Sequence, residues 1–183
     1  MGDIKESPVF PENQDPYLGY GILSVERLTE TAKLPAYGKE GDAALDLFVD
    51  SFEWKTDVSG NKKELDPSVK EITLDFGDMV MVNFGIRTKP TIGFGGFLTM
   101  RSGFSSKNGV SLVNAPGVID TFYRGPIKGC LVKVSSGSCK IKKGDRTCQY
   151  VPFIQVKMEV KEEEKISTNT VRGEGGFGHT GNN

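Results

Sequence analysis

From Ile72 onward the chain is a relay of short β-prone runs, most of them bounded by glycine, proline or asparagine. Ile72, Leu74 and Phe76 alternate with polar neighbours before Gly77-Asp78 turns the chain. Met79 to Ile86 is apolar with Gly85 near its end, and Phe97 to Met100 is a further short run. Ile127 to Val134 alternates again, and Tyr150 to Val160 is a long β-branched stretch interrupted by Pro152. Side chains of a strand point to opposite faces in turn, so a period of two marks a half-buried strand. Many short strands with frequent breakers predict an all-β barrel or sandwich. Helix signals are weak: Ser102 to Lys107 has room for a turn or two, and Pro116-Gly117 breaks the middle of the chain. There is no internal repeat.

A chain of 183 residues suits one domain with a sizeable core. Lys and Arg total 23 against 24 Asp and Glu, a balance that argues against a general nucleic-acid or membrane-surface binder. A local cationic pocket stays open. No apolar run is long enough to span a bilayer, and Met1 to Ser7 lacks the apolar core of a signal peptide. Glu6 stands where a myristoylation motif wants Ser or Thr. Cys130, Cys139 and Cys148 form no CxxC pair, so they read as neither a disulfide framework nor a zinc site. Cys130 and Cys148 sit among apolar strand residues and are expected to be small buried fillers. A reduced, cytoplasmic setting fits. One histidine, His179, excludes mechanisms that need several.

Five segments carry chemistry. The run Arg172-Gly173-Glu174-Gly175-Gly176-Phe177-Gly178-His179-Thr180-Gly181 joins a guanidinium, exposed backbone amides and one aromatic ring. Successive amides form anion-binding nests, and arginine makes forked bonds to phosphate. The run reads as an arm closing over a nucleotide's phosphates, although alone it also describes a glycine-rich tail. Lys161 to Lys165, with three glutamates inside, is expected to be a solvated linker. Gly41 to Leu47 puts small residues and Asp46 at a strand start. Arg101-Ser102-Gly103 offers a guanidinium, a hydroxyl and an unobstructed amide. Gly117 to Gly125 sets Asp120 and Tyr123 three residues apart in a hairpin, and Gly144 to Gln149 leads into the last strand.

In this order the five segments resemble the motifs of the trimeric deoxyuridine triphosphatase (dUTPase) family, over roughly Ile22 to Gly181. The resemblance implies a jelly-roll-like distorted β-barrel, assembled as a homotrimer with active sites between subunits. One subunit's C-terminal arm closes over a neighbour's site. It implies residues 1–21 as an N-terminal extension, 22–160 as the barrel with an insertion at 48–68, and 161–183 as linker and arm. The activity implied is hydrolysis of dUTP to dUMP and pyrophosphate, with Mg2+ on the triphosphate. Asp120 matches the catalytic aspartate that orients and deprotonates the attacking water. Tyr123 matches the tyrosine that lies under the deoxyribose and excludes a ribose hydroxyl. Asn114 and the backbone of Gly117, Val118 and Ile119 match the uracil-reading hairpin, with Lys128 a further nucleoside contact through its backbone. Arg101, Ser102, Gly103 and Gln149 match the phosphate-holding positions. Asp46 matches an aspartate linked to the metal through water; a turn or interface salt bridge is its other reading. In the arm, Arg172 would clamp the γ-phosphate and Phe177 would stack on uracil. Gly178, His179 and Thr180 would complete the phosphate cradle.

The chain departs from the family pattern in places. Met100 stands where proline is usual, Phe104 where a smaller aliphatic is, Cys148 where alanine is, Pro126 where an amide donor is, and His179 where serine is commoner. Arg146 reads as structural or intersubunit. The 48–68 segment, holding Trp54 and the turn signal Ser59-Gly60-Asn61, is expected to be a surface hairpin or a regulatory protein's binding element. A dUTP sensor on the same fold is the alternative function. The related dCTP deaminase is a third, fitting the arm and the Asp-x-x-Tyr hairpin less well.

Overall fold

The computed structural model describes residues 21–174. Phe177, Gly178, His179, Thr180 and nearly all of the 1–21 extension lie outside the described residues. In chain order the strands are β1 Leu23–Arg27, β2 Ala36–Tyr37, β3 Leu45–Phe48, β4 Ser51–Thr56, β5 Lys62–Glu64, β6 Glu71–Leu74 and β7 Met79–Asn83. They continue with β8 Ile86–Pro90, β9 Phe94–Met100, the helix α1 Ser102–Asn108, β10 Val110–Leu112, β11 Gly117–Ile119, β12 Lys128–Lys133, β13 Cys139–Lys142 and β14 Arg146–Ile154.

Two five-stranded antiparallel sheets, ordered β10-β12-β7-β4-β5 and β11-β9-β14-β3-β2, carry the fold. Two-stranded ladders β1-β8 and β13-β6 complete it. The all-β expectation is met. Alternation sets the core: in β7 Val80 and Val82 are buried between half-exposed Met79, Met81 and Asn83, and in β12 Leu131 is buried while Val132 is not. Leu47, Phe52, Leu98, Leu112 and Tyr150 join them. Each such side chain contributes about 1.5–3 kcal/mol by leaving water.

Two long runs break where backbone geometry demands it. Met79 to Ile86 divides at Gly85, whose φ of +66° is open to glycine but strained for other residues. A Cβ there would also lie 2.8 Å from Ala32 Cβ. Beyond this kink β8 turns away to pair with β1. The Tyr150 to Val160 stretch is strand only to Ile154, because its partner β9 begins at Phe94 opposite it. Past that point Val156, Met158 and Val160 are exposed. Pro152 is tolerated because β3 pairs with β14 only as far as Tyr150, which leaves that side of β14 without a ladder.

The 48–68 segment is a hairpin only in part. β4 is an inner strand between β7 and β5, with Phe52 and Thr56 buried. The exposed part of the segment is Val58 to Asn61 in the turn, all of β5, and Asp66 to Ser68. Asp57 accepts hydrogen bonds from Ser59 N, Asn61 N and Asn61 Nδ2 at 2.9, 3.0 and 2.8 Å. The Asn61 bonds above all hold its carboxyl below the ordinary carboxylate value. Lys62 Nζ lies 5.1 Å from the centre of the Trp54 ring.

Cys148 is a buried filler as expected, Cys130 is only half-buried where burial was expected, and Cys139 is buried as well. Burial pushes the Cys148 thiol up to about 12. Two departures from the family pattern meet across one rung: Cys148 pairs with Met100, and Cys148 Sγ lies 3.8 Å from Met100 Sδ. Phe104, a third, packs against the core from α1.

Candidate active site

The hairpin between β10 and β12 forms the first cluster of candidate residues. β11 pairs with β9, which buries Gly117 and Ile119 and points Val118 outward. The peptide between Ala115 and Pro116 is cis. Asn114 is exposed, and its Nδ2 would lie 3.4 Å from a Cβ on Gly117. Beyond β11 the chain turns tightly, with Tyr123 N donating to Asp120 O at 3.1 Å. Arg124 Nη1 donates to Thr121 O and Tyr123 O at 2.8 Å each, and Thr121 Oγ1 donates to Phe94 O at 2.6 Å. This turn is therefore fixed by its own side chains. At its tip Asp120 is exposed, and no described residue forms a hydrogen bond or ion pair with its carboxylate.

Tyr123 lies over the turn that follows, its Oη donating to Pro126 O at 3.1 Å. A Cβ on Gly125 would overlap the Tyr123 ring, so glycine there leaves the ring its seat. Lys128 opens β12 with its side chain turned to Glu53, at 2.7 Å from Nζ to Oε1. Its ammonium is occupied, in keeping with a contact made by backbone.

The second cluster lies at the far end of β9. Arg101 follows this strand and precedes α1, whose first two residues are Ser102 and Gly103. Backbone N–H groups in a first helical turn have no partner within the helix. Nothing lies within 4 Å of a Cβ built on Gly103, so its bareness keeps open space rather than relieving a contact inside the chain. Gln149 and Asp46 face each other across β14 and β3, and Gln149 pairs with Thr99 on the other side. With Gly38, Asp42, Ala43 and Ala44 these residues line a groove of about 290 Å³.

Asp46 is the electrostatic centre of that groove. Its side chain is 9% exposed, with Arg101 Nε 2.5 Å from one oxygen and Arg146 Nη1 3.0 Å from the other. Both carboxylate oxygens are thus engaged by guanidinium groups. Asp46 first orients Arg101, and Arg146 supplies the second clamp. Sequence reading assigned Arg146 no part in the site, since no local signal links residues 100 positions apart.

One chain does not bring the two clusters together. Asp46 aligns through Gln149 with Thr99, whereas Asp120 follows Ile119, the partner of Gly96. The clusters occupy opposite corners of one sheet, about 14 Å apart across three strand spacings and about 13 Å along the strands, or roughly 19 Å. Arg172 lies on the exposed C-terminal segment, where Gly173 N donates to Thr170 Oγ1 at 2.9 Å, and is not among the residues that line the groove.

The dUTPase family model matches residues 67–181. The chain belongs to the dUTPase family. A deoxyuridine 5'-triphosphate nucleotidohydrolase of a Hydrogenobaculum species is 38% identical over 160 residues, 87% of this chain and 97% of that one. One from a Thermoanaerobacter species is 36% identical, over 87% of this chain and 97% of the relative. Among solved structures, a Staphylococcus bacteriophage 80alpha dUTPase mutant with dUpNHpp superposes with a TM-score of 0.71 at 22% identity, covering 87% of this chain and 98% of that one. A dUTPase from phage phi11 of S. aureus, described with a structural Mg(II) ion, has a TM-score of 0.63 at 20% identity, over 79% of this chain and 98% of that one. These likenesses bear on the fold. No helix among the described residues is long and apolar enough to cross a membrane.

Proposed function

We propose that this chain is a dUTP diphosphatase, hydrolysing dUTP to dUMP and pyrophosphate at sites assembled between the subunits of a homotrimer. The observation that carries the residue roles is the contrast between two aspartates. Both oxygens of Asp46 are ion-paired, one to Arg101 and one to Arg146, whereas Asp120 is exposed and unpaired among the described residues, beside Tyr123. A general base needs a carboxylate free to accept a proton. A water hydrogen-bonded to Asp120 attacks the α-phosphorus opposite the leaving oxygen, its proton passes to the carboxylate, and pyrophosphate departs. Tyr123 packs against the deoxyribose, and the rigid 114–120 backbone reads the uracil edge. Thymine's methyl and cytosine's reversed donor–acceptor pattern are rejected there.

Arg101, Ser102, Gly103 and Gln149 hold the phosphates. They come from a neighbouring subunit, because the same strand spacings put Gln149 and Arg101 roughly 16–20 Å from Asp120 within one chain. Arg172, Phe177, Gly178, His179 and Thr180 of an arm close over the result and exclude water. Among the described residues no group of three or more His, Cys, Asp or Glu side chains could hold a metal alone. Asp42 and Asp46 line the phosphate groove, a donor set that suits Mg2+ carried in on the triphosphate and touched through water. Bound there, the ion would neutralise the phosphate oxygens. A regulatory protein partner, if recruited through 48–68, would meet the exposed 58–64 and 66–68 residues and not Phe52 or Thr56, which are buried.

The test is pyrophosphate release from dUTP, dCTP, dTTP and UTP with Mg2+, beside Asp120→Asn. Hydrolysis confined to dUTP and lost in the variant is expected. Turnover undiminished in Asp120→Asn would refute its role, and ammonia release would indicate deamination.

A further inference from the structure

We infer that Glu53 is a positioning residue for the nucleoside half of the site, acting through Lys128; this rests on reading the 114–128 hairpin as that half. Glu53 is the extra residue of a β-bulge. Ser51 pairs with Asn83 and Phe52 with Val82, but Trp54 pairs with Met81, which leaves Glu53 without a partner in β7. Bulges re-aim side chains, and this one sends a carboxylate across β7 to β12. There Glu53 Oε1 and Oε2 lie 2.7 and 3.0 Å from Lys128 Nζ, while Asn83 Nδ2 donates to Oε1 at 2.9 Å.

The place where the pair lands gives it consequence. Lys128 is the first residue of β12, directly after the hairpin that carries Asp120 and Tyr123. β10 pairs with β12 only from Leu131 onward, so at Lys128 the strand has a ladder on one side alone, with Asn83. The ion pair, reaching over β7, reinforces the one side from which the strand is held there. Asn83 extends the hold: its Oδ1 accepts from Gly85 N at 2.8 Å, at the kink whose neighbours Phe84 and Ile86 bracket Ile127 by backbone hydrogen bonds of 3.1 and 2.8 Å. Pro126, next in the chain, accepts the Tyr123 hydroxyl. A continuous path therefore runs from Glu53 through Lys128, Ile127 and Pro126 to the Tyr123 ring.

The pair is about one-third exposed on both sides, so solvent screening leaves it a small share of global stability. Its loss should instead loosen the hairpin's exit and weaken dUTP binding. Leu65 N also donates to Glu53 O at 2.8 Å, which ties the β4–β5 hairpin to the same path.

The experiment compares Glu53→Gln, Lys128→Met, their double variant and Tyr123→Ala in full-length protein, measuring kcat, KM for dUTP and Tm. Each of the first two should raise KM about threefold with kcat held within about twofold and Tm little changed. The double variant should be no worse than either single, because both remove one interaction. An additive double variant, or a lowered Tm with unchanged KM, would overturn the proposal. Unchanged KM in Glu53→Gln beside a raised KM in Tyr123→Ala would reject the coupling while leaving the hairpin's role intact. Unchanged KM in both would reject the hairpin as the nucleoside site, and the proposal with it.

Discussion

Replacing Asp46 by asparagine keeps the shape of the side chain and removes the charge between two guanidinium groups. Breaking a fully buried ion pair from one side costs about 3–5 kcal/mol. Here the carboxylate is 9% exposed but Arg101 and Arg146 are 31% and 46% exposed, so both cations recover hydration when the charge goes. That discounts the cost to about 1–2 kcal/mol. For a domain of this size the fall in Tm is roughly 3–6 °C. Function should suffer further, because Arg101 loses the contact that directs it toward phosphate. A loss of about tenfold in kcat/KM corresponds to about 1.4 kcal/mol of lost transition-state stabilisation. Thermal unfolding at fixed protein concentration and steady-state kinetics with dUTP measure both. Asp42→Asn is the control, since Asp42 lines the same groove but among the described residues its carboxylate accepts only the Lys39 N–H, at 3.0 Å. Equal effects of the two variants, or an Asp46→Asn protein within about 1 °C of the parent and with unchanged kinetics, would refute the reasoning.

Gly125→Ala should raise KM for dUTP about tenfold by pushing the Tyr123 ring from its seat, read by steady-state kinetics; an unchanged KM would show that the ring has other room. In the 57–61 turn, Asp57 carries a lowered pKa in the folded state, so its stabilisation is present above the unfolded value of 3.8 and lost as pH falls through the folded one. Amide exchange of Ser59 and Asn61 should accordingly stay slow until pH falls below the ordinary carboxylate range, and Asp57→Ala should remove that dependence. With its thiol pushed up to about 12, Cys148 should resist alkylation at pH 8 in the folded protein and react only on unfolding. Mass-mapped labelling before and after denaturant checks this.

Local features were legible in the residues, and long-range pairings were not. The strand cores showed because Val80, Val82 and Leu131 keep a period of two. Ser59-Gly60-Asn61 marked its turn because glycine takes a φ of +86° there. Four of the five motifs found through family resemblance fall among the described site residues, and the structure divides them between two clusters. The division of Met79 to Ile86 was missed because apolar periodicity runs through Gly85 while the backbone does not. The early end of β14 depends on where β9 begins, which no residue of 155–160 encodes. The polar turn signals of 48–68 point to surface, yet Phe52 within it belongs to the core, because β4 is an inner strand. Asp46 with Arg146, and Glu53 with Lys128, are joined over 100 and 75 residues, so only the sheet order brings them together.

The proposed site takes Asp120 and Arg101 from different subunits. It is tested most directly by mixing two inactive variants, Asp120→Asn and Arg101→Ala, under conditions that exchange subunits. In a cyclic trimer formed at random from equal parts, about one site in four joins an intact Asp120 to an intact Arg101. Recovery of about a quarter of the parent's dUTP hydrolysis is predicted. No recovery, while tagged subunits demonstrably exchange, would contradict a site built between chains.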